Sequence, residues 1–168
     1  MDIATDALDR LHTTAASHSR IMLCEIMGNK AGWLTLNAGI AGGADVVLIP
    51  EIPYDIEKVC DAVINRSASG KTFSIIAVAE GSFDVNEAKM KKKERAAKRA
   101  EAGILTATSR IAAQINANTG FEARVCVPGH MLRGGAPSAY DRILATQFGV
   151  HAAKLKLLYY TGALQAKS

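Results

Sequence analysis

Aromatic residues make up only 5% of this 168-residue chain, with a single tryptophan, and it holds just four prolines and three cysteines. It also lacks any apolar run near the ~20 residues that a bilayer-crossing helix needs, so no membrane association is expected. The opening Met1-Asp2-Ile3-Ala4-Thr5-Asp6 has neither the basic start nor the apolar core of a secretion signal. Cys24, Cys60 and Cys126 show no Cys-x-x-Cys spacing and lie in apolar stretches. An odd number of buried-looking thiols argues against a disulfide framework and suits a reducing, cytoplasmic setting. His12, His18 and His151 lack metal-ligand spacing, and no metal ligands are expected in the chain.

What is present is hydrophobic content, at 49%, enough for one sizeable core and a single compact domain. The net charge of +4 is unevenly spread. Between Lys89 and Glu101 lie seven basic residues (Lys89, Lys91, Lys92, Lys93, Arg95, Lys98, Arg99) against Glu94 and Glu101, leaving the remainder of the chain at −1. A nucleic-acid footprint would add interleaved aromatics or a reader motif, and this segment has neither. The run therefore reads as the solvated face of a surface helix, with nucleic-acid binding through 89–101 a remote alternative.

Periodicity predicts a helix over 1–18, then strand–helix four times over. The strands are expected at Arg20–Met27, Asp45–Pro50, Phe73–Ala79 and Ala123–Val127, the helices at Ala31–Ala41, Asp55–Arg66, roughly 85–118 and from Ser138. The third of these helices should bend or break near Gly103, with Ile104, Ala107, Ile111 and Ile115 as its buried stripe. Ser138 and Asp141 have the spacing of a capping box with aspartate in place of glutamate. Near-continuous apolar strands separated by helices predict an α/β, three-layer sandwich around a mostly parallel sheet. Ligands gather at the carboxyl ends of such strands, which here means Met27-Gly28, Glu80-Gly81 and Pro128 through Gly135.

The last of these places is the richest in chemistry. His130 and Arg133, followed by Gly134-Gly135 and a new helix, suit a phosphate ester. A guanidinium pairs with phosphate oxygens in a planar fork, and glycine lets the backbone approach an anion closely. The alternative is a turn in which Arg133 forms a structural salt bridge, and spacing alone does not choose between them.

The wording of three segments goes further. Gly129-His-x-x-Arg-Gly-Gly-x-Pro-x-x-x-Asp-Arg142 resembles a phosphofructokinase signature. So does Glu25-Ile-Met-Gly-Asn-Lys-Ala-Gly-Trp33, running through Ala38-Gly-Ile-Ala-Gly-Gly43 to Ile49-Pro-Glu-Ile-Pro53, and so does Ile76-Ala-Val-Ala-Glu-Gly81. The resemblance covers residues 5 to 152 and is to the C-terminal, sugar-phosphate-binding half of 6-phosphofructokinases, nearer the mixed-substrate ATP or pyrophosphate branch. Residues 1–155 are accordingly expected to form one phosphofructokinase-like domain, with 156–168 an atypical tail.

The resemblance implies a fructose 6-phosphate site for phosphorylation at the 1-hydroxyl, as in glycolysis, with ATP or pyrophosphate as donor. Arg133, His130 and Arg124 would hold the sugar phosphate, Glu80 would accept from sugar hydroxyls, and Met27 with Gly28 would line the sugar. Arg20 and Arg124 would reach into a neighbouring subunit's site, which implies a homo-oligomer. Each assignment has a plainer rival: Glu80 as a helix cap, Met27 as core packing, Arg20 as a surface residue. The family's glycine-rich donor loops and its Thr-Ile-Asp-Asn-Asp base motif do not occur in the chain, so both ends read as truncated. Magnesium is expected for the complete enzyme, with no ligands here, and the chain alone is expected to be an inactive binding module. Asn29 in place of an arginine, Asp45 in place of a glutamate, and Ser69 and Phe73 in place of basic residues depart from the allosteric bacterial pattern. Lys71 alone of those basic positions remains, so nucleotide effector control is not expected.

Overall fold

The computed structural model describes residues 1–101, 103 and 106–160. Ile104 lies outside the described residues. They fall into two compact units, the first Met1–Gly134 and the second beginning at Gly135.

In the first unit the elements run α1 (Asp2–His18), β1 (Ile21–Ile26), α2 (Trp33–Ala41), β2 (Val46–Leu48), α3 (Ile56–Ala68), β3 (Ser74–Ala79), α4 (Lys92–Glu101), α5 (Ala107–Thr119) and β4 (Ala123–Cys126). A short 3-10 turn, Glu87–Lys89, precedes α4, and another, Gly129–Arg133, follows β4. The four strands form one parallel sheet in the order β2-β3-β1-β4. All six residues of β1 and all six of β3 are buried, which explains why these strands read as continuous apolar runs rather than alternating ones.

Each face of the sheet carries its own core. On one, Leu8, Leu11 and Ala15 of α1 and Ala38 of α2 pack on Met22, Cys24, Ile26, Ile75 and Ala77. On the other, Val59, Cys60 and Val63 of α3 and Ile111 and Ile115 of α5 pack on Leu23, Ile76 and Val78. Helices on both faces of a parallel sheet make this an α/β three-layer sandwich. Fully burying a side chain such as Leu8 or Ile111 contributes roughly 1.5–3 kcal/mol.

Local signals set the helix ends. Asp55 caps α3 by accepting from the Glu57 amide at 3.0 Å, and Thr106 caps α5 through the Ser109 amide at 3.0 Å. The helical region expected over 85–118 divides into the 3-10 turn, α4 and α5, with Gly103 at φ 65 between the two helices. Glycine takes that left-handed conformation without the Cβ penalty, so the chain breaks where the stripe pauses.

The second unit holds α6 (Ala139–Tyr160). The Ser138 amide donates to Asp141 Oδ2 at 2.9 Å, and the Asp141 amide donates back to Ser138 Oγ at 3.2 Å. The capping box is therefore reciprocal, as its spacing predicts.

Candidate functional site

Because β3, β1 and β4 are neighbours in a parallel sheet, their carboxyl ends lie side by side, and each releases one of the three segments marked by the sequence. From β1 the chain leaves through Met27 and Gly28, from β3 through Glu80 and Gly81, and from β4 into the turn carrying His130 and Arg133.

Glu80 joins the first two. Its Oε1 accepts from the Gly28 amide at 3.0 Å and the Asn29 amide at 2.5 Å, across 52 and 51 residues of sequence. Glu80 therefore caps a turn on the adjacent strand rather than a helix of its own. A hydrogen bond to its Oε2 is absent among the described residues, which leaves one carboxylate oxygen as an acceptor in a half-buried position. The turn is tight on both sides. A Cβ on Gly28 would collide with the Ala31 carbonyl oxygen, and one on Gly81 with the Asn29 carbonyl oxygen. Asn29 itself sits at φ 56, a left-handed conformation that asparagine tolerates. Glu51 Oε1 fixes the far end of the turn by accepting from the Gly32 amide at 2.8 Å.

His130 and Arg133 are exposed on the 3-10 turn Gly129–Arg133, with Gly129 at φ 57. The turn is anchored from below by Leu132, which packs against the α1–α2 core. Among the described residues Arg133 makes no ion pair, so the structural salt bridge that the sequence left open is not formed there. A free guanidinium beside an imidazole on an anchored glycine-bounded turn can take an anion.

Arg20 and Arg124 are not part of this gathering. They lie at the amino end of the sheet, where both pair with Glu122: Arg20 Nε at 2.7 Å and Arg124 Nε at 2.7 Å, with a further Arg124 Nη2 contact. The two hydrogen-bonded arginines hold the Glu122 carboxyl below the usual range. β1 is six residues long, so at ~3.3 Å per residue these arginines stand roughly 20 Å from Glu80.

The sequence also misjudged the basic run. Arg95 stacks over the Phe83 ring at 4.2 Å, and Arg99 forms a two-pronged pair with the buried Glu87, both bonds at 2.8 Å. Burial alone would raise the Glu87 carboxyl, but hydrogen bonds and charge from Arg99 and Arg110 outweigh it and hold it at about 2. Arg110 completes the cluster, reaching Glu87 at 2.6 Å, Asp84 at 3.1 Å and the Tyr54 hydroxyl at 2.8 Å. The solvated-face reading therefore fails for Arg95 and Arg99.

Asp45 is also committed, accepting from the Ile75 amide at 2.8 Å and pairing with Arg66 at 2.9 Å. Among the described residues no group of three His, Cys, Asp or Glu side chains is placed to hold a metal ion. No described helix is long and apolar enough to cross a membrane.

Comparison with known proteins decides the family. The phosphofructokinase family model matches residues 1–156. The chain belongs to the phosphofructokinase family. An ATP-dependent 6-phosphofructokinase of Spirochaeta thermophila is 52% identical over 155 residues, covering 92% of this chain and 42% of the relative. One from Propionibacterium freudenreichii subsp. shermanii is 46% identical over 172 residues, covering 92% and 46%. This phosphofructokinase chain thus spans less than half the length of these curated relatives. Among solved structures, Saccharomyces cerevisiae phosphofructokinase superposes with a TM-score of 0.70 at 34% identity, over 90% of this chain and 18% of that one. The pyrophosphate-dependent phosphofructokinase of Marinobacter aquaeolei, at 21% identity and a TM-score of 0.69 over 92% and 38%, supports the fold alone.

Proposed function

We propose that the chain supplies the fructose 6-phosphate side of a 6-phosphofructokinase, the enzyme that transfers a phosphoryl group from ATP or pyrophosphate to the sugar's 1-hydroxyl. The observation that carries this reading is the convergence of the Glu80-held turn and the His130/Arg133 turn at the carboxyl ends of three adjacent strands. Arg133 and His130 grip the 6-phosphate, the open oxygen of Glu80 accepts from a sugar hydroxyl, and Met27 with Gly28 lines the sugar. These groups position the acceptor rather than deprotonate it, and phosphoryl transfer draws most of its acceleration from positioning and electrostatics. The curated relatives' name favours ATP as donor, whereas the wording of Met27 through Trp33 keeps pyrophosphate open.

Arg20 and Arg124 serve a neighbouring copy's site in this reading, which their distance from Glu80 supports, and the working enzyme is a homo-oligomer. The family match over 1–156 supports one phosphofructokinase-like domain over 1–155, with 156–168 as a tail. Magnesium would be bound with the donor and through groups outside this chain, and the setting is the cytoplasm. The chain alone binds sugar phosphate without turning it over, since no Thr-Ile-Asp-Asn-Asp string supplies a base.

Isothermal calorimetry with fructose 6-phosphate, set against fructose and inorganic phosphate, tests the reading. Saturable binding that needs both moieties and disappears in Arg133→Ala is expected. Equal binding of fructose 6-phosphate by wild type and Arg133→Ala would sink it. A coupled assay with either donor should show no turnover above background.

A further inference from the structure

Directly behind the Glu80 turn sits the cluster of Glu87, Asp84, Arg99 and Arg110, and Glu87 is only 5% exposed. The Arg99 guanidinium grips both carboxylate oxygens of Glu87 and also donates from Nη2 to the Ser82 carbonyl at 3.2 Å. Ser82 is two residues beyond Glu80 and wholly buried. Its hydroxyl donates to the Leu48 carbonyl at 2.9 Å and its amide to the Ala79 carbonyl at 2.9 Å. Gly81, between them, lies against the Asn29 carbonyl closely enough to exclude a side chain. The Glu80–Ser82 turn is thus pinned from β2, from the β1 turn, and by Arg99 from α4.

A buried ion cluster is weak as a source of stability, because desolvating its charges offsets much of their attraction. What such a cluster does provide is fixed geometry, since two-pronged guanidinium–carboxylate bonding allows little angular freedom. Here that geometry ends on the carbonyl that follows Glu80-Gly81.

We propose that Arg99, oriented by Glu87, is a positioning residue: it holds the Glu80–Ser82 turn so that Glu80 Oε1 stays on the Gly28 and Asn29 amides and Oε2 is presented at one place to the sugar. This rests on the acceptor-site reading above. Arg99 touches no substrate and acts only through the turn.

Amide-proton exchange measured by NMR tests this in Arg99→Met, Arg99→Lys and Glu87→Gln. The Gly28 and Asn29 amides should exchange about tenfold faster in Arg99→Met and Glu87→Gln, as expected for losing a charge-assisted anchor. The Leu23 and Ile76 amides in the sheet centre exchange through global unfolding and report each variant's overall loss of stability. Arg99→Lys keeps the charge but not the fork, so it should fall between wild type and Arg99→Met. Unchanged exchange at Gly28 and Asn29, or exchange there that only follows the global unfolding reported by Leu23 and Ile76, would overturn the proposal. In calorimetry Arg99→Met should weaken fructose 6-phosphate about tenfold, and an undiminished affinity beside faster exchange would overturn the link to the ligand. If wild type bound no fructose 6-phosphate, the acceptor-site reading would fall, while the exchange data would still decide whether Arg99 positions the turn.

Discussion

Acid should unpick the Glu87 cluster, and Glu87→Gln should show how much of the chain's pH dependence it carries. The two arginines hold the Glu87 carboxyl at about 2, against an ordinary value of 4.5. A carboxyl with a depressed folded-state value contributes stability that is complete above pH 4.5 and is lost as pH falls toward 2. The difference is about 2.5 units at ~1.36 kcal/mol each, so this group contributes on the order of 3 kcal/mol at neutral pH. Removing one partner of a buried charge pair costs a similar ~3–5 kcal/mol, because the nearly buried Arg110 is left with Asp84 alone and the half-buried Arg99 with no carboxylate. Urea unfolding of wild type and Glu87→Gln, followed by circular dichroism from pH 7 to pH 2, measures both effects. The wild type should start about 3 kcal/mol more stable, and the two curves should converge as pH drops below 4.5. Curves that stay parallel from pH 7 to pH 2 would refute the assignment of that stability to Glu87.

Two further outcomes follow from the same contacts. Gly81→Ala should destabilise the chain and loosen the Glu80 turn, because its Cβ would meet the Asn29 carbonyl; unchanged thermal stability and unchanged Gly28 and Asn29 amide shifts would contradict this. The Cys24 thiol, pushed up to about 12 by burial and then by its neighbour Cys126, should resist iodoacetamide at pH 8 while the partly exposed Cys126 reacts, as peptide mass spectrometry would show.

Much of the fold was legible because its signals are local. The apolar strands 21–26 and 74–79, the Ser138–Asp141 box and the break at Gly103 all arise within a few residues of sequence. The site's locations were legible too, since a parallel sheet sends its functional loops from strand carboxyl ends. What stayed hidden was pairing across distance. Glu80 could be marked as a candidate, but its partners at Gly28 and Asn29 are 52 and 51 residues away. Nothing near Arg20 in sequence announced that it would share Glu122 with Arg124, across 102 residues. Arg99 looked solvated because a helical run of like charge usually is. Its burial depends on Glu87 and Ser82, which the break before α4 folds back beneath it. That folding back left no trace in the periodicity.

Titration of the 15N-labelled chain with fructose 6-phosphate tests the acceptor-site reading most directly. Shifts should cluster at Met27–Asn29, Glu80–Gly81 and His130–Arg133, saturate, and vanish in Arg133→Ala. No shifts at millimolar ligand, or saturable shifts that leave Glu80–Gly81 and His130–Arg133 unmoved, would contradict it.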